Sequence, residues 1–153
     1  MTELAGQEET DRILPELLEG RGVTQGELHR YDVLEHSLRA CDAAPQDNLT
    51  VRLAALLHDI GKPRSRDLLP DGRPSFHGHE KLSAQMARQA LRRLRFPRVV
   101  IDAVAHLIEQ HMFLYEEGWS DAAVRRLVAR VGEANLPDML ALRRADQLAM
   151  AGQ

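Results

Sequence analysis

Apolar residues recur every three or four positions along most of this chain, which is the spacing of one face of a helix. The clearest stripe runs through Val100, Val104, Leu107, His111 and Leu114. No segment alternates apolar and polar residues over a sustained stretch, as a half-buried strand would. The pattern therefore predicts an all-α fold of about seven helices.

Caps and helix breakers set the expected bounds of these helices. Asn48 and Ser120 are suited to begin helices, and Pro97 is suited to end one. The predicted helices cover 10–18, 31–42, 49–60, 79–96, 98–114, 121–131 and 137–150. The segment 62–78 contains three prolines and two glycines and is predicted to be a long loop. Loops of this length are uncommon in compact domains and are often functional.

The composition fits one globular domain of 153 residues, of which 44% are apolar and only 4% aromatic. We expect an aliphatic core over residues 13–150 and an acidic tail over 1–12. No stretch approaches the ~18 consecutive apolar residues of a membrane span, and the first twenty residues do not resemble a signal peptide. The single cysteine, Cys41, excludes a disulfide scaffold and a cysteine-based zinc site. We therefore expect a cytoplasmic protein with no membrane partner.

The net charge of −3 hides an uneven distribution. Residues 59–98 carry ten Lys or Arg against four Asp or Glu, whereas the rest of the chain carries ten against nineteen. A basic segment in an acidic chain indicates an anionic ligand close to it. A solvated helix face over 88–98 is the alternative, and charge alone favours it.

Histidine and aspartate residues that face inward are the strongest chemical signal. They occur on or beside several predicted helices: His36, His58, Asp59, His79, His111 and Asp146. A buried carboxylate such as Asp146 is costly unless it meets a cation or several donors, and Arg143 or Arg144 could supply an ordinary salt bridge. Inward polar residues on several helices of an aliphatic core are best explained by one shared metal site, as helical bundles build them.

The ligand types indicate which ions this site would take. Imidazole and carboxylate without thiolate suit Fe, Mn, Ni, Co or Zn, with Mg at weaker affinity. Six ligands are enough for two divalent ions with open positions, and the Asp59 carboxylate can bridge them. His106 competes with His111, but the two are about 140° apart on a helix. Only His111 shares the apolar stripe, so we assign the ligand role to His111.

The order of these residues resembles that of a known family. His36, the pair His58-Asp59 and Asp146 resemble the four-ligand signature of the HD superfamily of metal-dependent phosphohydrolases, and residues 56–63, LLHDIGKP, resemble its HDIG form. Four further segments are similar to the HD domain of bacterial tRNA CCA-adding nucleotidyltransferases: RYDVLEHSL (30–38), RLAALL (52–57), FHGHE (76–80) and RRLRFP (92–97). The resemblance covers most of the chain. It implies a single HD domain over 1–153, with a helical bundle around a buried metal site.

The sequence departs from that family in one respect. It contains neither the Gly-Ser start nor the Asp-x-Asp pair of the nucleotide-adding domain that precedes the HD domain there. We therefore expect no nucleotide addition by this chain, which would be either a free-standing HD domain or a piece of a longer protein.

The resemblance also implies roles for individual residues. His36, His58, Asp59 and Asp146 would hold a first ion, and His79 and His111 would complete a second site with Asp59 as the bridge. The expected catalytic residues are Asp59, Lys62 and His106. The expected substrate-binding residues are Lys62, Arg64, Arg66 and His77. Lys62, on the loop, would neutralise a phosphate oxygen, His77 and His106 are alternatives for the general acid, and His29 is expected at the surface.

Together these features predict a phosphohydrolase in which two ions activate water against a phosphoester. The resemblance implies a small phosphorylated substrate, a nucleotide, with 2′,3′-cyclic nucleotides and 2′-phosphates first. The same ligands would suit a mixed-valent diiron oxygenase acting on a small alcohol or phosphonate. A third alternative is a non-enzymatic module that contacts RNA through the arginine-rich face at 88–98, although few aromatic residues are present to stack on bases.

Overall fold

The computed structural model describes residues 13–26, 29–112 and 120–150, which are helical over most of their length. The helices are α1 (Pro15–Leu18), α2 (Val33–Ala43), α3 (Leu49–Leu57), α4 (Lys62–Ser65), α5 (His79–Arg93), α6 (Arg98–Gln110), α7 (Asp121–Val131) and α8 (Leu136–Met150), with a 3-10 turn at Glu133–Asn135. Helices α1 and α4 are single turns, and the other six form the body of a bundle. The predicted all-α architecture is confirmed. The predicted acidic tail, the start of the first predicted helix and Leu114 lie outside the described residues.

Short polar side chains begin helices where the sequence predicted them. The Asn48 side chain accepts a hydrogen bond from the N–H of Val51 at the start of α3, and Ser120 accepts one from the N–H of Ala123 at the start of α7. Each bond satisfies a backbone donor that has no partner inside its helix.

Helix α5 ends earlier than the sequence predicted, at Arg93 rather than Phe96. Arg95 adopts a left-handed conformation with φ of 63°, which a helix cannot contain. Phe96 precedes Pro97, and the residue before a proline is disfavoured in the helical region. The turn at 94–97 then sends the chain back along α5 as helix α6.

Two pairs of helices and a central helix make up the core. Helix α5 packs against α6, α2 packs against α8, and α3 contacts both pairs. Fully buried alanines, among them Ala54, Ala87 and Ala105, leave room for the backbones to approach closely. No helix in the described ranges is long and apolar enough to cross a membrane.

The segment 62–78 is more regular than the predicted loop. It begins with α4 and continues into a two-residue antiparallel pair of strands, β1 (Asp67–Leu68) and β2 (Pro74–Ser75). Gly72 turns the chain between them with a φ of 87°. Strands of two residues are too short to leave an alternating pattern in the sequence, which is why the pattern did not indicate them.

Candidate metal centre

Three histidines of the predicted site lie at helix ends. His58 follows α3, His111 follows α6, and His79 is the first residue of α5. The Nδ1 atom of each ring donates to the carbonyl oxygen three residues earlier in the chain: Ala55 at 2.7 Å, Ile108 at 2.5 Å and Phe76 at 3.1 Å. A carbonyl oxygen only accepts, so each Nδ1 carries the hydrogen. Each neutral ring therefore presents the lone pair of its Nε2 atom to the interior, which is the atom a metal ion would bind.

Asp146 connects the last helix to α2 and α3. Its Oδ1 atom lies 2.7 Å from the Nε2 atom of His36 and 3.0 Å from the Nε2 atom of His58. The three residues are buried. The packing of α8 against α2 thus brings a carboxylate from the end of the chain to an imidazole near its beginning.

The two carboxylate oxygens of Asp59 face different histidines. The Oδ2 atom lies 3.2 Å from Nε2 of His58 and 3.7 Å from Nε2 of His36, whereas Oδ1 lies 3.2 Å from Nε2 of His79. Asp59 consequently belongs to two buried groups whose potential ligand atoms lie within 4.8 Å of one another. One group is His36, His58, Asp59 and Asp146, and the other is Asp59, His79 and His111.

This arrangement requires a positive charge. The Nε2 atoms of His79 and His111 lie 3.3 Å apart, and in neutral rings both would be lone pairs. The Nε2 atom of His58 likewise faces oxygens of Asp59 and Asp146. Acceptors that converge in a buried site repel one another unless a proton or a metal ion lies between them. The donor set therefore fits divalent metal ions.

The pKa values of the buried groups reflect the same requirement. Burial alone would disfavour the charged form of His58, but Asp59 and Asp146 outweigh burial and raise its pKa to about 10. Burial would raise the pKa of Asp59, but the charges of His58 and Lys62 hold it well below its usual value. Burial and the nearby His58 lower the pKa of His111 to about 3. A proton on His58 is thus the positive charge that a metal ion would replace.

Lys62 is a buried residue of this site, and the prediction that placed it on a loop is corrected. It begins α4 and is 8% exposed. Its Nζ atom lies 3.3 Å from Oδ2 of Asp59 and donates to Oε1 of Gln25 at 2.6 Å. The ammonium group also lies 5.3 Å from the centre of the Phe76 ring, within the range of a cation–π contact. Gln25, buried before α2, is a site residue that the sequence did not indicate.

A cavity of about 270 Å³ opens onto these groups. Its lining consists of His29, His58, Asp59, Lys62, His79, His111, Met112, Asp146 and Met150. The volume lies just below the range of about 300–1,000 Å³ that is typical of ligand pockets, so the cavity suits a small ligand. His29 was expected at the surface but is half-buried here, with its ring edge-on to that of His36. Burial and the charge of Lys62 lower the pKa of His29.

Four residues predicted to be catalytic or to bind substrate do not line this cavity. The Nε2 atom of His106 donates to the carbonyl oxygen of Val131 at 2.7 Å, because its position on α6 turns it away from His111 and toward α7. Arg64 makes two hydrogen bonds, of 2.8 and 2.9 Å, with Glu19. Arg66 and His77 are exposed on either side of the strand pair.

Comparison with known proteins gives one consistent family. The protein-family model described as HD domain matches residues 27–151 of this chain. The chain is 44% identical over 147 residues to the A-adding tRNA nucleotidyltransferase of Deinococcus radiodurans, with 93% of this chain and 33% of the relative covered. It is 41% identical over 144 residues to the CC-adding tRNA nucleotidyltransferase of Thermus thermophilus, with 91% and 32% covered. The Multifunctional CCA protein of Azoarcus sp. is 36% identical over 143 residues, with 91% and 32% covered. The chain thus spans about a third of the length of these relatives.

Proposed function

Because this chain belongs to the HD domain family, we propose that it is a metal-dependent phosphohydrolase acting on phosphoester bonds of nucleotides or related small phosphates. The observation that carries the proposal is the division of the Asp59 oxygens between two groups of buried histidines. A carboxylate in this position is suited to bridge two ions, and pairs of ions are a common means of promoting phosphoester hydrolysis.

The residues present fit such ions by type and by orientation. His36, His58, Asp59 and Asp146 would hold one ion, and Asp59, His79 and His111 would hold a second. When bound, divalent ions supply Lewis-acid charge and lower the pKa of water. Nitrogen and oxygen ligands without thiolate suit Fe, Mn, Ni, Co, Zn or Mg.

Lys62 and His29 are the residues of the cavity that would contact the substrate. Gln25 and Asp59 hold the Lys62 ammonium beside the predicted ligands, where it can neutralise a phosphate oxygen as negative charge develops. The Nδ1 atom of His29 is buried and has no hydrogen-bond partner among the described residues. Because His29 also lines the cavity, we assign it the contact with the leaving group, a role that the sequence assigned to His77 or His106.

Nucleotide substrates are proposed from the relatives. Their names describe the addition of nucleotides to tRNA, but the matched part is only a third of their length. We therefore carry over the class of ligand, with 2′,3′-cyclic nucleotides and 2′-phosphates first, and not the transfer reaction.

The test is a substrate screen with defined metal content. Protein stripped of metal would be reloaded separately with Mn, Fe, Ni, Co, Zn and Mg, and each sample assayed on an activated phosphodiester and on the four 2′,3′-cyclic nucleotides. We expect turnover that depends on the added ion and is lost in Asp59→Asn. The absence of turnover with every ion and every phosphoester would refute the proposal.

A further inference from the structure

A second cavity lies at the other end of the α5–α6 pair from the metal centre. It has a volume of about 360 Å³ and is lined by Arg88, Arg92, Phe96, Arg98, Ile101 and Asp102. We call it the arginine cavity. Helix α6 begins at Arg98 and is followed by His111 after thirteen residues, which places the two cavities about 20 Å apart at the rise of an α-helix.

Positive charge exceeds negative charge in the arginine cavity. Its lining has three guanidinium groups and one carboxylate, that of Asp102. Asp102 accepts a hydrogen bond of 2.6 Å from Arg88 and lies 3.8 Å from Nε of Arg98. Within the described ranges Arg92 has no acidic partner, and Arg95 is exposed in the adjoining turn. By contrast, the neighbouring Arg93 is committed to Glu16 through two hydrogen bonds.

The exposure of these arginines favours a ligand with several phosphates. The side chain of Arg98 is 93% exposed and that of Arg88 is 42% exposed. A single ion pair at such positions contributes little because water screens it. A strand that passes successive phosphates over the arginines displaces several bound counterions, and each displacement adds to the affinity.

The shape of the site favours an unpaired strand. The arginines surround a concavity, and one wall is the half-buried ring of Phe96. An unpaired nucleotide can enter this concavity and place its base against the Phe96 ring. The bases of a duplex are paired, so only its backbone could contact the arginines at the edge of the cavity. We propose that the arginine cavity, together with Arg95, binds the backbone of single-stranded RNA.

The choice of RNA over DNA rests on the proposed function. A 2′-phosphate or a 2′,3′-cyclic phosphate exists only on ribose, so a polymeric substrate of that class is RNA. A mononucleotide is too short to reach both cavities across about 20 Å, whereas an oligonucleotide can contact the arginine cavity with its backbone and the metal centre with its end. The arginine cavity would then contribute to the binding of polymers and not to the binding of mononucleotides.

Binding can be measured apart from hydrolysis. The fluorescence anisotropy of a labelled single-stranded oligoribonucleotide would be followed during titration with metal-free protein over a series of salt concentrations. We expect the double variant Arg92→Ala/Arg98→Ala to bind at least about tenfold more weakly at low salt and to show a salt slope smaller by about 1.4. The variant Asp102→Asn, which removes the one carboxylate of the lining, should bind more tightly.

The matched control is Arg125→Ala/Arg126→Ala, which removes two exposed arginines from α7 and changes the net charge equally. We expect this control to bind within about twofold of the unaltered protein. Equal losses in the two double variants, or no binding by the unaltered protein, would overturn the site. Equal or tighter binding of duplex RNA would overturn the assignment to an unpaired strand.

The metal-loaded protein separates this inference from the proposed function. Arg92→Ala/Arg98→Ala should raise KM for an oligoribonucleotide that ends in a 2′,3′-cyclic phosphate and leave KM for a cyclic mononucleotide unchanged. RNA binding without hydrolysis of any phosphoester would refute the proposed function alone. Hydrolysis of mononucleotides without RNA binding would refute the arginine cavity alone.

Discussion

The Nε2 atoms of His79 and His111 lie 3.3 Å apart, and neither ring in its neutral form can donate to the other, because both Nδ1 atoms carry the hydrogen and donate to backbone carbonyls. The backbone thereby fixes two hydrogen-bond acceptors so that they face each other. The lowered pKa of His111 disfavours a proton on its Nε2 atom, which would otherwise relieve the repulsion. The two Nε2 atoms are therefore positioned to bind a metal ion between them. Asp59 contacts His79 of this pair and also His58. A substitution at Asp59 should therefore affect both groups of ligands, whereas a substitution at His111 should affect only one.

The number of bound ions should depend on which ligand is removed. His111→Ala removes a ligand of one group only, so we expect it to retain about half of the metal. Asp59→Ala removes the residue common to both groups and should abolish metal binding and activity together. Metal analysis by mass spectrometry, with circular dichroism to verify folding, measures this difference. Cys41→Ser on α2 is the control and should behave as the unaltered protein, because no thiolate ligand is proposed. Full metal content in Asp59→Ala would exclude the bridging role.

Metal affinity should rise with pH. The metal-free fold holds a proton on His58 below its pKa of about 10, and an ion must displace that proton to bind Nε2. The apparent dissociation constant should therefore fall as pH rises from 7 to 9, by up to about tenfold per unit for one proton displaced. Calorimetry in buffers with different enthalpies of ionisation would report the released proton directly. An affinity that does not change with pH would mean that His58 is not a ligand.

Lys62 should contribute to both stability and turnover. Lys62→Met removes the ammonium beside the buried Asp59 carboxylate, so we expect the metal-free protein to lose roughly 1–3 kcal/mol in its free energy of unfolding. Turnover of a phosphodiester should fall about 100-fold at unchanged metal content. Lys81→Ala, an exposed lysine on α5, should change neither quantity. Unchanged kinetics in Lys62→Met would leave Lys62 with a structural role only.

Gln25 should act through Lys62. Gln25→Ala removes the acceptor that holds the ammonium at 2.6 Å, so kcat should fall by a smaller factor than in Lys62→Met. Gln25→Glu keeps an oxygen acceptor and should restore part of the lost activity. In the background of Lys62→Met, Gln25→Ala should have no further effect on kcat, and an additive loss would show that Gln25 acts independently.

Oxygen dependence should separate hydrolysis from oxygenation, which use the same ligand types. A hydrolase needs only Lewis-acid charge and water, so turnover of a phosphodiester should be equal in air and under nitrogen, and Mn or Mg should substitute for iron. A diiron oxygenase would instead take up iron selectively, show a mixed-valent signal in electron paramagnetic resonance and leave phosphodiesters intact. Turnover that stops when oxygen is removed and resumes on its return would replace our proposal with that alternative.

The helices were predictable because the signals that begin and end them are local. Asn48 and Ser120 cap their helices through residues three positions away. The burial of His36 and Asp146 was predictable because each lies on the apolar stripe of its helix, α2 or α8, and such a stripe faces the core. That these residues bind metal stays a prediction.

The contacts of Lys62 and His106 could not be predicted in the same way. Gly61 and Pro63 indicated a break, but proline is also favoured in the first turn of a helix, and here the chain forms α4 and turns Lys62 inward. Its partner Gln25 is 37 residues away on a segment without periodicity. His106 could be assigned away from His111 by its spacing, but its bond to Val131 depends on where α7 packs.

The meeting of His36 with Asp146 has a consequence for the unfolded chain. The two residues are 110 positions apart in sequence and 2.7 Å apart in space. An ion held by both would cross-link the chain nearly end to end, as a disulfide does, and a cross-link across a loop of this length reduces the entropy of the unfolded state by an equivalent of about 5 kcal/mol. The metal-loaded protein should therefore have a larger free energy of unfolding than the metal-free fold, and the difference should grow with the concentration of free ion.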